Sequence, residues 1–384
     1  MADPGMIMLS AGEASGDLHG GTLCHELRRL APGLRLSGMG GARMAAAGVD
    51  HVADPTAHAV VGTSEAVGRL PRLYRAYRAL VRRLREERPR ALVVIDFPEF
   101  NMRLARQARQ AGIPVVYFIP PQVWAWRRRR LRTIARLASQ VLAVFPFEPA
   151  LYEEAGVPVE FVGHPLLDVV PLGLDRREAR RQLSLADNRA VVGLFPGSRK
   201  EEVTRLLPPM LEGVRRLAAG GAGPRLLLGL APSIDRGLVS SLVSAAALPG
   251  PGAEVVEGRT HEVMAAADAI LIASGTATLE AALLGTPMVV CYRVSPMTEL
   301  TARLLIRIPW ISLPNIVSGR TIVPEILQGD LSSERLAVEA DRLLGNSEAA
   351  TAQRRAFAEL RARLGEPGVG RRAALAVLRT ASAA

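Results

Sequence analysis

Short apolar runs alternate along the chain with longer stretches in which apolar and charged residues follow a helical period. The runs "MIMLSA" (6–11), "LRLSGM" (34–39), "ALVVID" (91–96), "PVVYFI" (114–119), "QVLAVF" (140–145) and "VEFVG" (159–163) predict a first set of strands. Segments such as "LHGGTLCHELRRL" (18–30) and "NMRLARQARQAG" (101–112) predict helices between them. Near-continuous apolar strands need cover on both faces, so a parallel sheet flanked by helices is expected. The pattern restarts with "AVVGLF" (190–195), "RLLLGLA" (225–231), "AEVVEG" (253–258), "AILIAS" (269–274) and "PMVVCYR" (287–293). Between the sets, "GHPLLDVVPLGLDRREARRQL" (163–183) is rich in Pro and Gly and then charged, as a linker would be. The expectation is an α/β protein of two doubly wound, Rossmann-like domains facing a central cleft, with ligands at the carboxyl ends of the strands.

Composition sharpens this picture only in part. A chain of 384 residues suits two domains, since single cores rarely grow beyond about 250–300 residues. The formal net charge is +11, which favours an anionic partner without choosing between nucleic acid, an anionic membrane and a phosphorylated substrate. Cys24 and Cys291 are far apart and neither sits in metal-ligand spacing, which fits a reducing compartment and no structural zinc. No apolar run is long and uncharged enough to span a bilayer, and the start has no basic segment followed by a long apolar one. A cytoplasmic protein not integral to a membrane is therefore expected.

Four loops carry candidate chemistry. "SAGEASGDLHGG" (10–21) joins the first strand to a helix, where Gly12 and Gly16 would let the backbone approach a ligand. Ser15 reads as the helix N-cap with Asp17 in the first turn; the alternative is simply a capped turn. The spacing is not G-x-G-x-x-G, so a dinucleotide fingerprint is not supported. "LFPGSRKEEV" (194–203) occupies the matching place in the second half. Free amides at its helix start and the Arg199 guanidinium suit phosphate oxygens, while Glu201 and Glu202 equally complement the helix dipole. In "ASGTATLEAALLGTPMVV" (273–290), Glu280 is expected in the first helical turn, where a carboxylate can accept from a vicinal diol such as a ribose. "VVIDFPEFNMRLA" (93–105) sets Asp96 at the end of an apolar strand, a place packing does not favour. It reads as a general base or as a helix cap, with Asn101 the nearer cap.

Together these stretches resemble one family, the lipid-A-disaccharide synthases, inverting glycosyltransferases of the GT-B fold. The resemblance rests on "GEASGDLHGG", "GMGG" (38–41), "IDFPEFN" (95–101), "PQVWAWR" (121–127), "VGHPLLD" (162–168), "LFPGSRKEE" (194–202), "SGTATLE" (274–280), "YRVSPMTEL" (292–300) and "LPNIVSGRTIVPEILQ" (313–328), in order across both halves. Pro120 departs from it, since the family usually has Ser before the Pro of "PQVWAW". The resemblance implies that UDP-2,3-diacylglucosamine donates its sugar to 2,3-diacylglucosamine 1-phosphate, giving the β-1,6-linked disaccharide and UDP. It implies a catalytic group of Asp96 as base with Glu13, Ser15, Asp17 and His19 nearby. It implies substrate contacts from Gly12, Gly16, Gln122, Ser198, Arg199, Glu202, Ser274, Gly275, Thr276 and Thr278, from Glu280 to the ribose and from Asn315 near the base. It implies no metal and no cofactor. Residues 1–168 would form the acceptor and membrane side and 169–350 the donor side, with 351–384 crossing back to the first domain. A homodimer is compatible with it.

Acylated substrates rarely leave a bilayer, because each buried CH₂ is worth about 0.8 kcal/mol. A surface-seeking element is therefore expected. In "GRLPRLYRAYRALVRRLREERPR" (68–90), Leu70, Leu73, Tyr77, Leu80, Val81 and Leu84 share one helical face and Arg72, Arg75, Arg78, Arg82 and Arg83 the other. That is the profile either of an interfacial helix on anionic lipid or of a helix packed on the sheet with solvated arginines. "WAWRRRRLR" (124–132) adds two tryptophans and a second basic cluster. The rival readings are another UDP-sugar enzyme of the same fold, an epimerase or a different transferase, and a basic nucleic-acid-binding protein. The last lacks any helix-turn-helix, zinc-finger or RNP pattern, so no nucleic-acid partner is expected.

Overall fold

Thirteen strands assemble as two parallel sheets among the described residues. In this computed structural model those residues are 5–53, 65–122, 129–185, 189–217, 223–248, 252–295, 299, 309–344 and 347–383. The first sheet holds β1 (Met6–Ala11), β2 (Arg35–Met39), β3 (Asp50–Ala53), β4 (Ala91–Ile95), β5 (Val115–Phe118), β6 (Gln140–Ala143) and β7 (Val159–Phe161) in the order β3-β2-β1-β4-β5-β6-β7. The second holds β8 (Val191–Phe195), β9 (Arg225–Leu230), β10 (Ala253–Glu257), β11 (Ala269–Ala273), β12 (Met288–Tyr292) and β13 (Glu325–Leu327) in the order β10-β9-β8-β11-β12-β13. Each sheet winds outward in both directions from one central pair, β1 beside β4 and β8 beside β11. Those pairs are the topological switch points where open α/β sheets bind ligands.

The expected near-continuous apolar strands are buried along their lengths: every residue of β1, β4, β8 and β11 is buried. On one face of the first sheet, Met8, Val94 and Tyr117 pack with Leu104 of helix Pro98–Gln110 and with Leu80 and Leu84 of helix Glu65–Glu87. In the second sheet, Leu194, Leu228 and Leu271 pack with Leu206 and Met210 of helix Lys200–Leu217 and Leu336 of helix Ser333–Asp341.

This packing decides the question left open for segment 68–90. Leu80 and Leu84 are fully buried and Tyr77 and Val81 pack against the same core, so the apolar face of this helix meets the sheet and not a membrane. Arg83 leaves the expected outer group, since its guanidinium donates to Asp50 Oδ2 at 2.7 Å and to Ser37 Oγ at 2.6 Å. Arg72, Arg75, Arg78 and Arg82 remain exposed beside Tyr74, and Arg85, outside the expected group, is exposed as well. The tryptophan stretch at 123–128 and the side chain of Leu70 lie outside the described residues.

Two compact units result: Met1–Asp168 with Leu364–Ala384, and Val169–Arg363. The return to the first unit begins at Leu364 and not at 351, because helix Glu348–Arg363 stays with the second unit. Its Gln353 side chain brackets Met288, accepting from the amide at 2.8 Å and donating to the carbonyl at 3.2 Å. The final helix, Val369–Ser382, packs against helix Ala14–Leu30. Its entry is tied by Asp168, whose carboxylate accepts from the amides of Gly368 at 2.5 Å and Gly370 at 2.8 Å.

Candidate active site at the strand ends

At the carboxyl end of β4 the chain does something costly. Asp96 and Phe97 both have φ of 46°, two successive left-handed residues that carry side chains, and such strain concentrates at functional sites. Ile119, at the end of β5, is left-handed as well, with φ of 56°. Gly12, at the end of neighbouring β1, makes room for the Phe97 ring: a Cβ on Gly12 would lie 2.1 Å from a ring carbon. Asn101 is not a helix cap. The helix starts at Pro98, where a missing N–H costs nothing, and Asn101 is buried inside it. Its side-chain oxygen accepts from Ser10 Oγ at 2.6 Å, and its amide donates to the carbonyls of Asp96 (2.8 Å), Ile95 (3.1 Å) and Ser10 (3.2 Å). The ends of β1 and β4 are thereby locked together.

The Asp96 carboxyl is pushed up from 3.8 to about 6, first by burial and then by the neighbouring Glu13 carboxylate, with a backbone hydrogen bond opposing. A base of that strength is mostly ionised at neutral pH yet holds a proton more firmly than an ordinary aspartate, as proton transfer requires.

The opening loop differs from its expected form. The helix begins at Ala14 with Glu13 as N-cap, so Ser15 is an exposed residue of the first turn and not the cap. Asp17 is buried, and its carboxylate accepts from the amides of Gly41 (2.8 Å), Arg43 (3.0 Å) and Met44 (3.0 Å). It caps the start of helix Ala42–Ala46 from a distance, a structural role beside the one expected of it. Gly16 and His19 are buried, Glu13 and Gln122 exposed. His19 lies close enough to His164 to help depress it. The His164 imidazole, buried and accepting from the Leu166 amide at 3.2 Å, is lowered to about 3, mainly by burial.

In the second unit the amides of the "PGSR" turn are not free. The Glu202 carboxylate accepts from the amides of Ser198 (3.1 Å) and Arg199 (3.3 Å) and pairs with the Arg199 guanidinium at 3.3 Å. At the end of β11, Ser274 Oγ donates to the Ile311 carbonyl at 2.9 Å, and Thr278 is buried with its hydroxyl on the Gly275 carbonyl at 2.7 Å. Thr278 therefore shapes the turn from a buried position, whereas Gly275 and Thr276 are exposed. Helix Thr276–Leu283 starts before the expected point, so Glu280 lies in its second turn. Its Oε2 is 2.9 Å from His261 Nε2, a partner that the sequence reading missed.

Asn315 is fully buried and spent on the protein. Its oxygen accepts from the amides of Ile322 (2.7 Å) and Val323 (3.0 Å), and its nitrogen donates to the Val323 carbonyl (3.0 Å) and Glu325 Oε1 (2.8 Å). Both donors and both lone pairs are used within the protein, so a contact from Asn315 to a nucleobase would require exchanging one of these bonds. Glu325, also missed, anchors the same knot through the amides of Ile311 and Ser312, both at 3.0 Å. Among the described residues no group of three or more His, Cys, Asp or Glu could hold a metal ion.

The lipid-A-disaccharide synthetase family matches residues 7–379. A lipid-A-disaccharide synthase of Anaeromyxobacter dehalogenans is 44% identical over 372 residues, covering 97% of this chain and 96% of its own. That of Myxococcus xanthus is 42% identical over 378 residues, covering 98% of each. Among solved structures, a Neisseria meningitidis UDP-GlcNAc 2-epimerase bound to UDP-GlcNAc is similar with a TM-score of 0.61 at 12% identity, covering 97% of this chain and 99% of that one. At that identity the likeness concerns the fold alone.

Proposed function

The chain belongs to the lipid-A-disaccharide synthetase family, and from that premise we propose how its residues share the reaction. The enzyme is an inverting glycosyltransferase of lipid A biosynthesis that uses a UDP-sugar donor. The acceptor is 2,3-diacylglucosamine 1-phosphate. Its 6-hydroxyl oxygen attacks C1 of UDP-2,3-diacylglucosamine, the C1–O bond to UDP breaks, and the hydroxyl proton passes to Asp96. The observation that carries this reading is an aspartate at a switch point, on strained backbone, with its carboxyl raised to about 6. Glu13 assists by raising Asp96, and Gly12 by admitting Phe97.

The second unit holds the donor. Charge grows on UDP as it leaves, and Arg199 with the amides of Ser198 and Arg199, now bonded to Glu202, meets it once Glu202 turns away. Glu280, oriented by His261, accepts from the ribose. No described helix is long and apolar enough to cross a membrane. The lipids are met at an anionic surface of the inner membrane's cytoplasmic face through Arg72, Arg75, Arg78, Arg82 and Arg85, by charge and not by insertion.

An epimerase and a transferase are separated by product analysis. Labelled UDP-diacylglucosamine should yield disaccharide and UDP only when the lipid acceptor is present. An altered UDP-sugar formed without acceptor would contradict the proposal.

A further inference from the structure

Two buried groups converge on one atom of the candidate base. The Asp96 carbonyl accepts from Asn101 Nδ2 at 2.8 Å and from the Tyr117 hydroxyl at 3.2 Å. Asn101 is 0% exposed and Tyr117 2%, so neither can touch a substrate. They come from different elements, helix Pro98–Gln110 and β5, and meet beneath Asp96. The residues they hold are the ones whose backbone is left-handed. A residue with a Cβ avoids that conformation unless its surroundings enforce it, and here two adopt it in succession. Phe97 is fixed from its other side by its stacking on Phe100, with centroids 5.5 Å apart.

We propose that Asn101 and Tyr117 are positioning residues of the transfer reaction: by binding the Asp96 carbonyl together they hold Asp96 and Phe97 left-handed and so present the Asp96 carboxyl at the carboxyl end of β4. Released from this clamp, the backbone relaxes to a common conformation. The carboxyl then leaves its half-buried place beside Glu13, its proton affinity falls toward the ordinary aspartate value, and it no longer faces the acceptor hydroxyl. This inference rests on the reading of Asp96 as the base. Among the described residues, Glu13 from the opening loop raises Asp96, while Tyr117 from β5 is itself raised by the Asp96 and Glu99 carboxylates, Glu99 pairing with Arg130. None of these is changed by Asn101→Ala, and Tyr117→Phe removes only a hydroxyl that burial keeps protonated.

The test is the pH dependence of kcat/KM for disaccharide formation in the wild type, Tyr117→Phe, Asn101→Ala and Asp96→Asn. In the wild type the acid limb should lie near 6. In Tyr117→Phe, kcat should fall on the order of tenfold or more while KM for the donor stays within about twofold. The acid limb should move down by roughly a pH unit or more, toward 3.8. Asn101→Ala should do the same more strongly; if it fails to fold, Tyr117→Phe decides. A Tyr117→Phe enzyme whose limb stays near 6, whatever its activity, overturns the positioning role while loss of turnover in Asp96→Asn leaves the base assignment standing. Persistent turnover in Asp96→Asn overturns the base assignment and the positioning role together.

Discussion

His261 Nε2 lies 2.9 Å from Glu280 Oε2, and both side chains are about one-fifth exposed (23% and 21%). A carboxylate at the end of a helix turn is free to rotate; one fixed by an imidazole points one way. Glu280 Oε1 has no protein partner among the described residues, so it can accept from one ribose hydroxyl without giving up His261. His261→Ala should therefore raise KM for the donor several-fold with kcat little changed, the pattern of lost uniform binding. Arg199→Ala should weaken UDP binding on the order of tenfold or more, the loss expected for a charge-assisted contact. Calorimetric titration with UDP checks both. Unchanged affinity in the two variants would remove the second unit's strand ends from the donor site.

Asn315→Ala should behave differently. With four protein hydrogen bonds broken at a buried site, the loss is one of stability, about 2–4 kcal/mol. Denaturant midpoints measure it. A variant of normal stability that binds UDP poorly would assign Asn315 to the nucleotide site.

Two groups, the buried His164 and the half-buried Asp96, push the pH dependence of stability in opposite directions. His164 has its folded value lowered from 6.5 to about 3, so the unfolded chain takes up a proton first and stability is lost as pH falls through that window. Asp96 has its folded value raised from 3.8 to about 6, so the folded chain takes up the proton first and stability is gained as pH falls through that window. Where the windows overlap, the two offset each other. Asp96→Asn should expose an acid-labile slope of about 1.4 kcal/mol per pH unit. His164→Gln, which keeps an acceptor for the Leu166 amide, should expose a slope of the opposite sign. Denaturation series at several pH values read this directly, and parallel profiles in all three proteins would contradict it.

Membrane adsorption should be electrostatic alone, since Leu80 and Leu84 are committed to the core. Arg75→Glu with Arg78→Glu and Arg82→Glu should abolish sedimentation with anionic vesicles in low salt, each arginine contributing about 1 kcal/mol. Binding that persists in the triple variant, or that is indifferent to salt, would assign the surface elsewhere.

Both sheets were legible because apolar strands covered on two faces leave long uninterrupted runs. β3 and β13 were not, because they are short edge strands. "DHVA" carries an aspartate and a histidine, and "EIL" has only three residues. Asp96 stood out because an acid directly after a buried strand has no packing reason to be there. The partners of Asp17 and Asn315 were not legible, since nothing local shows that their polar atoms bond residues 41–44 and 322–325. Amphipathicity in 68–90 marked a face to be covered but not what covers it.

Asp96→Asn keeps the shape of the side chain and removes its ability to take a proton. With lipid donor and acceptor at saturating levels, disaccharide formation should fall by two to four orders of magnitude, about the contribution of a positioned base, while UDP binding stays within about twofold of the wild type. Turnover near the wild-type rate would contradict the assignment of the base at the end of β4 and the account built on it.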